Sequence, residues 1–226
     1  MPEGPDLARL AALIGDPARA SMLSALMGGR ALAAGELARE AGVAPQTASG
    51  HLSQLVEGGL LIRRSQGRAR YYALAGPEAA AALEALMGFS EARGPARARP
   101  GPRDPELRAA RTCYDHIAGA LGVRIWDSLS ARGMLEMQGE RGRLSPGGAA
   151  FLSGLGVDAE ALAASRRPVC RACLDWSERR THLAGGAGAA VLSLALEKGW
   201  AARRDGSRAL RITRLGESAF AAQFPV

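Results

Sequence analysis

The sequence predicts a mainly α fold with small β-hairpins, in two parts. Three observations carry that reading. Aromatic residues make up only 4% of the 226 residues while Ala and Leu abound, a composition that favours helices over sheets. Short apolar-periodic stretches end repeatedly at Gly or Gly-Gly, the usual punctuation of compact helices. Between Gly94 and Pro105, four prolines fall within twelve residues, which forbids a regular helix and reads as a stiff linker. The expected organisation is a domain over 1–93, a Pro/Arg-rich linker over 94–105 and a second domain over 106–226. A chain of this length accommodates two domains of ~100–150 residues each.

The bulk numbers exclude several classes. An apolar share of 47% is incompatible with wholesale disorder. Mean hydropathy is near zero, and no apolar run approaches the roughly 18 residues of a spanning helix, so no membrane partner is expected. The N-terminus lacks the basic start and apolar core of an export signal. Three cysteines are too few and odd in number for a secreted disulfide framework, so a reducing cytoplasm is the expected location.

The first elements follow from local signals. Leu7, Leu10 and Ile14 form an apolar stripe. Asp16-Pro17 reads as an N-cap with proline in the first helical position; the helix it opens carries Met22, Leu23 and Leu26 and stops at Gly28-Gly29. Residues 33–41 form a short helix with Leu37, closed by Gly42. Ala44 to Glu57 form the next, with Leu52, Leu55 and Val56 inward. Leu60–Arg64 and Ala69–Leu74 read as strands around Ser65-Gln66-Gly67, a hairpin signal. Gly76-Pro77 opens an Ala-rich helix carrying Leu83, Leu86 and Met87.

Two short helices joined by Gly42-Val43 form a helix-turn-helix pattern, which presents the N-terminus of the second helix outward. Gln46, Thr47, Ser49, His51 and Gln54 on that helix carry groups able to hydrogen-bond base edges. The hairpin after it holds Arg63, Arg64, Arg68 and Arg70 within eight residues that contain no acid. The net charge of +7 is uneven: residues 1–91 carry 8 Arg against 9 acids. The arginine cluster is therefore local, which suffices for phosphate contact because salt confines such fields to ~8–10 Å. The same residues also suit a solvated hairpin tip, and His51 also suits helix packing.

Residues 5–91 resemble the ArsR-type winged helix-turn-helix repressors, small bacterial transcription factors. The carriers are Asp16-Pro17-x-Arg19, Glu36-Leu37-Ala38, Thr47-x-Ser49-x-His51-Leu52, Gly59-Leu60 and Gly67-Arg68-x-Arg70-Tyr71-Tyr72-x-Leu74. The resemblance implies a homodimer that binds an inverted-repeat operator in double-stranded DNA and leaves it when an effector binds. Family members that sense metals often carry cysteines in the first helix of the motif, or His and Asp on the terminal helix. Here Ala34 to Ala41 hold no Cys and Pro77 to Glu91 no His. Neither site transfers, and sensing is expected in the appended domain.

That domain contains an internal repeat, expected at about 112–155 and 176–222. His116-Ile-Ala-Gly119-x-x-Gly122 matches His182-Leu-Ala-Gly185-x-x-Gly188, and the same spacing pairs Ile125 with Val191 and Gly133 with Gly199. Two residues of insertion later, Leu144-Ser145 meets Ile212-Thr213. Each copy reads as helix, Gly stop, hairpin and Ser/Thr-capped helix, so two winged-helix-like repeats are expected as a pseudo-symmetric pair.

All three cysteines and two of three histidines lie beyond residue 112. Cys113 and His116 are expected three apart on one helix face. Cys170-x-x-Cys173 and His182 could complete a tetrahedral set for a soft metal or metalloid ion. Asp175-x-x-Glu178 reads as the start of the next helix, which with Arg171, Arg179 and Arg180 nearby would favour a Cys173 thiolate. Four readings remain open: purely structural residues, metal or metalloid sensing, thiol oxidation, or an organic effector. The segment Cys173-Leu-Asp-Trp-Ser-Glu-Arg-Arg-x-His182-Leu-Ala-Gly185 also resembles C-terminal extensions in a subset of ArsR-like regulators. The rivals to a transcriptional repressor are a thiol-dependent enzyme and a protein-interaction module. Against an enzyme, the sequence has no phosphate-binding Gly loop and no nucleophile elbow.

Overall fold

The computed structural model describes residues 6–66, 69–93, 102 and 104–226. The chain divides into two compact units, Met1–Leu83 and Glu84–Val226. Apart from Pro102, Asp104 and Pro105, the Pro/Arg-rich stretch 94–105 lies outside the described residues.

In the first unit, α1 (Leu7–Ile14) and α2 (Pro17–Leu26) each start at an aspartate whose carboxylate accepts a backbone N–H three residues on, Asp6 from Arg9 and Asp16 from Arg19. A two-residue strand β1 (Leu32–Ala33) precedes α3 (Ala34–Ala41) and α4 (Pro45–Glu57). Gly42, at φ 65°, ends α3 in the left-handed conformation that a tight helix-turn-helix corner needs. Strands β2 (Leu61–Gln66) and β3 (Ala69–Leu74) form the wing, and α5 (Pro77–Arg93) follows. The wing is the outer part of a three-stranded antiparallel sheet in the order β1-β3-β2. β1 had no counterpart in the sequence reading. It is too short for any periodicity, and its strand character comes from pairing Leu32 with Tyr72. Met22, Leu23, Leu26, Leu37, Leu52, Leu55, Leu61 and Leu74 are buried and form the core.

The second unit is a repeat of hairpin, helix, hairpin, helix. After a one-turn helix α6 (Pro105–Ala109), the first copy comprises β4 (Arg111–Cys113), β5 (His116–Ala118), α7 (Ala120–Ala131), β6 (Leu135–Gln138), β7 (Arg141–Leu144) and α8 (Pro146–Leu155). Helix α9 (Ala159–Ala164) links it to the second copy: β8 (Cys170–Asp175), β9 (Arg180–Ala184), α10 (Gly185–Glu197), β10 (Ala201–Arg203), β11 (Leu210–Ile212) and α11 (Arg214–Gln223). The hydroxyls of Ser145 and Thr213 cap α8 and α11 through the backbone N–H groups of Gly148 and Gly216. Strands β6-β7-β8-β9 form one antiparallel sheet, while β4-β5 and β10-β11 are separate ladders. One contiguous core, from Ile117, Ile125 and Leu129 to Val191, Trp200 and Phe220, serves both copies.

Two expectations are corrected here. Cys113 and His116 do not lie on a helix. Residues 111–118 form a tight hairpin whose turn is Tyr114-Asp115, with Tyr114 at φ 58°. The turn has neither Asn-Gly nor Asp-Gly, so it carried no hairpin signal, and the three-residue spacing of Tyr114 and Ile117 imitated helical periodicity. Likewise Asp175 does not open a helix. Its carboxylate accepts from the backbone N–H groups of Ser177 and Glu178 and closes the β8-β9 turn instead, an alternative use of the same side-chain chemistry. Each copy therefore begins with a hairpin, and His116 and His182 sit on strands.

The copies interlock. Helix α7 packs on β9 and α10 on β5. A Cβ at Gly122 would lie 2.3 Å from the Ile117 carbonyl and 3.3 Å from the His182 Cβ; a Cβ at Gly188 would lie 2.3 Å from the Leu183 carbonyl and 3.1 Å from the His116 Cβ. Each glycine thus admits its own copy's strand and the other copy's histidine, the reciprocity of a pseudo-two-fold axis.

Candidate functional site

The first candidate site is the outer face of α4 with the wing. Gln46, Thr47 and Ser49 are exposed near the α4 N-terminus, while Ala48 is buried beneath them. Gly50 has open space where a side chain would stand. His51 and Gln54 are engaged within the unit. One terminal nitrogen of Arg19 donates to Gln54 Oε1 at 2.6 Å and lies 3.3 Å from His51 Nδ1, and Asp16 is 3.8 Å from that same ring nitrogen. These two residues hold α4 on α2; of the candidate reading residues, Gln46, Thr47 and Ser49 in the first turn and a half face outward without such a contact to α2 among the described residues. On the wing, Arg63 pairs with Tyr72, Arg64 with Tyr71 and Ser65 with Arg70. Strand alternation therefore puts Arg63 and Arg70 on one face and Arg64 on the other. All three arginines are exposed, and Gly67 and Arg68 lie outside the described residues.

The second candidate site is in the C-terminal unit. The ligand atoms of Cys113, His116, Cys173 and His182 lie within 4.8 Å of one another, and all four residues are buried. The fold delivers them as two cross-strand pairs: Cys113 opposes His116 in the β4-β5 hairpin, and Cys173 opposes His182 in β8-β9. The two rings stack at 5.0 Å, with their Nε2 atoms 3.1 Å apart.

Cys170 is not part of this group. It is three residues from Cys173 on the same strand, so it faces the opposite side, where it is fully buried in the common core. Burial pushes its thiol up to about 11. The Cys-x-x-Cys spacing offers both cysteines as ligands; strand geometry separates them.

The other ring nitrogens face carboxylates. His116 Nδ1 is 3.2 Å from Asp115, which Arg167 clasps with both terminal nitrogens at 2.5 and 3.1 Å. His182 Nδ1 is 3.5 Å from Asp175 Oδ2 and has no hydrogen-bond partner among the described residues. Asp175 is itself fixed: Arg111 and the Ser177 hydroxyl donate to Oδ1, and the Gly119 N–H donates to Oδ2 at 2.7 Å. Despite burial, which opposes it, the Arg111 guanidinium, Ser177 and Gly119 hold this carboxyl well below the ordinary range. Arg111, Asp115 and Asp175 are the supporting residues whose role the sequence did not reveal. A charged residue in an apolar stretch was the available signal at Arg111.

The electrostatics shift the Cys173 thiol downward, toward the thiolate. A hydrogen bond from the Cys113 thiol lowers it most, burial opposes, and His116 and His182 add to the lowering. Cys113 moves the other way, raised by that hydrogen bond, by burial and by the nearby Glu84 carboxylate. Burial depresses His116, yet hydrogen bonds with Asp115 and Cys173 outweigh it and raise it. The sequence reading attributed Cys173 activation to a helix end and neighbouring arginines. The cause is instead the thiol and imidazole partners.

Residues 14–64 match the family model described as a helix-turn-helix domain. An uncharacterised HTH-type transcriptional regulator, YdfF of Bacillus subtilis (strain 168), is 42% identical over 216 residues, 96% of each chain. The chain belongs to the HTH-type transcriptional regulators. The likeness to this HTH-type regulator runs through both units, so the C-terminal repeat belongs to the shared architecture. Among solved structures, the homodimeric winged helix-turn-helix DNA-binding domain of Mb0332 from Mycobacterium bovis, a possible ArsR-family regulator, is 26% identical. It covers 40% of this chain and 90% of its own, at a TM-score of 0.35. The cadmium sensor CMTR from Mycobacterium tuberculosis is 31% identical over 43% of this chain and 99% of its own, at a TM-score of 0.32. No helix among the described residues is long and apolar enough to cross a membrane.

Proposed function

We propose that this regulator is a homodimeric repressor that reads an inverted-repeat operator and is released when an effector or a thiol change acts in the C-terminal domain. The observation that carries the DNA part is the exposed first turn and a half of α4, with Gln46, Thr47 and Ser49 outward and an acid-free arginine hairpin immediately after it in sequence. Such a helix enters the major groove by its N-terminus while the wing meets neighbouring phosphates. Arg63, Arg64, Arg68 and Arg70 take the phosphate role.

Pairing of two copies runs through the helices near 6–14 and 77–91. Leu7 and Leu86 support this, since both are large apolar residues left exposed in the single chain. A dimer sets two reading helices about one DNA turn, roughly 34 Å, apart. The C-terminal unit is the effector domain, and the buried thiol–imidazole cluster is its sensing element. The site is cytosolic and needs no membrane.

The test is a gel shift with DNA from upstream of the regulator's own gene, over a salt series, alongside sedimentation of the free protein. Salt-sensitive, sequence-selective binding by a dimer is expected. Equal affinity for unrelated DNA removes the operator reading, and a monomer with full affinity removes the two-fold reading.

A further inference from the structure

We propose that Cys113, His116, Cys173 and His182 form a closed four-coordinate site for one divalent d10 ion, with Zn2+ as the ion the donor set suits best. The site gives the sensing element of the proposed regulator its chemistry, and rests on that reading only for its regulatory meaning. Binding itself is measured without DNA.

The histidine tautomers point to a cation between the rings. A ring nitrogen that faces a carboxylate carries the proton. His116 Nδ1 faces Asp115 at 3.2 Å, and His182 Nδ1 lies 3.5 Å from Asp175 Oδ2, a gap that a small ring rotation closes. With both protons on Nδ1, both Nε2 lone pairs point into the same space, only 3.1 Å apart. Two lone pairs at that distance repel unless a cation lies between them. The alternative tautomer, with Nε2–H donated from one ring to the other, turns an Nδ1 lone pair toward a carboxylate. A metal ion satisfies all four nitrogens at once, and a carboxylate behind each histidine is the usual support of a histidine ligand.

Distances agree. Tetrahedral coordination at metal–sulfur ~2.3 Å and metal–nitrogen ~2.0 Å sets donors roughly 3.3–3.8 Å apart. The four donors here all fall within 4.8 Å, so closure draws the widest pair together by up to about 1 Å, of the order of half an ångström for each side chain.

Charge selects the valence. Asp115 is matched by Arg167, and Asp175 by Arg111. Glu84, beside Cys113, lies in the field of the buried Arg208, so the remaining charge of the centre is that of the two thiolates. A divalent ion makes the buried group neutral, whereas a monovalent ion leaves a net negative charge away from water, which is costly. Binding exchanges the ion for the protons that the cysteines and histidines of the centre still hold, released to solvent, and no electron moves. Two His and two Cys with no open position describe a structural or allosteric ion rather than a catalytic one. Because the ligands come in Cys–His pairs from the two hairpins, the ion ties the two copies at their pseudo-two-fold axis.

The test uses the full chain, prepared with reductant and stripped by chelator, titrated with Co2+ as a spectroscopic probe and then with Zn2+. One Co2+ per chain is expected, with the intense visible bands of a tetrahedral ion and a sulfur charge-transfer band, all abolished by one equivalent of Zn2+. X-ray absorption of the Zn2+ form should resolve two sulfur and two nitrogen neighbours. Cys170→Ser should bind as the parent does, and Asp115→Asn should bind one ion with affinity reduced ~10–100-fold. Octahedral bands, a first shell without sulfur, or a Cys113–Cys173 disulfide in place of the ion overturns the proposal. These spectra are recorded on the unaltered chain, so they decide even where Cys113→Ser fails to fold.

Discussion

His116 and His182, sixty-six residues apart in sequence, meet through their Nε2 atoms at 3.1 Å while their Nδ1 atoms look back toward separate aspartates. The repeat explains the encounter. Each histidine stands on the second strand of its copy's leading hairpin and packs its Cβ over the other copy's glycine, His182 on Gly122 and His116 on Gly188.

That packing gives the first prediction. In Gly122→Ala or Gly188→Ala, the new methyl would lie 2.3 Å from a strand carbonyl, backbone that cannot swing aside. Each change should destabilise the C-terminal unit by ~1–3 kcal/mol, the range for overpacking. Gly154→Ala, in helix α8 with nothing within 4 Å, should be neutral or stabilising by up to ~1 kcal/mol. Urea denaturation followed by circular dichroism separates the two outcomes; equal effects at Gly122 and Gly154 would refute the interlock.

The wing makes a second prediction. Arg64→Ala and Arg70→Ala should weaken binding to every DNA sequence alike, each reducing the slope of log K against log salt by roughly 0.9. Anisotropy titrations between low and physiological salt measure this. A slope unchanged in both variants removes the arginines from the phosphate contact.

The reading helix makes a third. Gln46→Ala and Ser49→Ala remove exposed polar groups without touching the core, so the fold should keep its stability. Operator preference should shift by ~1–3 kcal/mol at the contacted base pair. His51→Ala should act differently, through the loss of its contacts with Arg19 and Asp16, which help seat α4 on α2, lowering affinity without changing preference. Selection from a randomised operator pool distinguishes these results.

A fourth concerns the cap of α11. The Thr213 hydroxyl donates to the Gly199 carbonyl at 2.8 Å and accepts from the Gly216 N–H at 3.0 Å. Thr213→Ala should cost about 1 kcal/mol, read as a fall in Tm of roughly 2–4 °C for a unit of this size. Thr213→Ser should restore most of it. An unchanged Tm in Thr213→Ala would show that the cap contributes nothing.

Much of the N-terminal unit was legible because its signals are local. Asp16-Pro17 caps α2, Gly42 turns α3 into α4, and the strands of the wing lie within a residue or two of their expected bounds. The repeat was legible too, since paired glycines mark places where backbone meets backbone. The leading hairpins were not. Tyr114-Asp115 turns at a position where Tyr114 adopts a positive φ, and that conformation is imposed by the surrounding packing rather than announced by residue type. Helix reasoning could bring Cys113 beside His116 by spacing, and the strand pairing brings them together for another reason. The Cys-x-x-Cys spacing offers Cys170 and Cys173 as a ligand pair, and only the two-residue alternation of a strand separates them. The supporting carboxylates of Asp115 and Asp175 are likewise properties of three-dimensional placement.

The central claim is that the C-terminal thiol–imidazole centre governs DNA binding. The most direct measurement is the affinity of one reduced preparation for its upstream DNA, at fixed salt, before and after one equivalent of Zn2+. A release that is nearly complete requires the ion to favour the non-binding state by ~5.5 kcal/mol, so affinity should fall by at least about tenfold even for a partial switch, and the Cys113→Ser and His182→Gln variants should not respond. An ion bound at full stoichiometry with DNA affinity unchanged would contradict the claim.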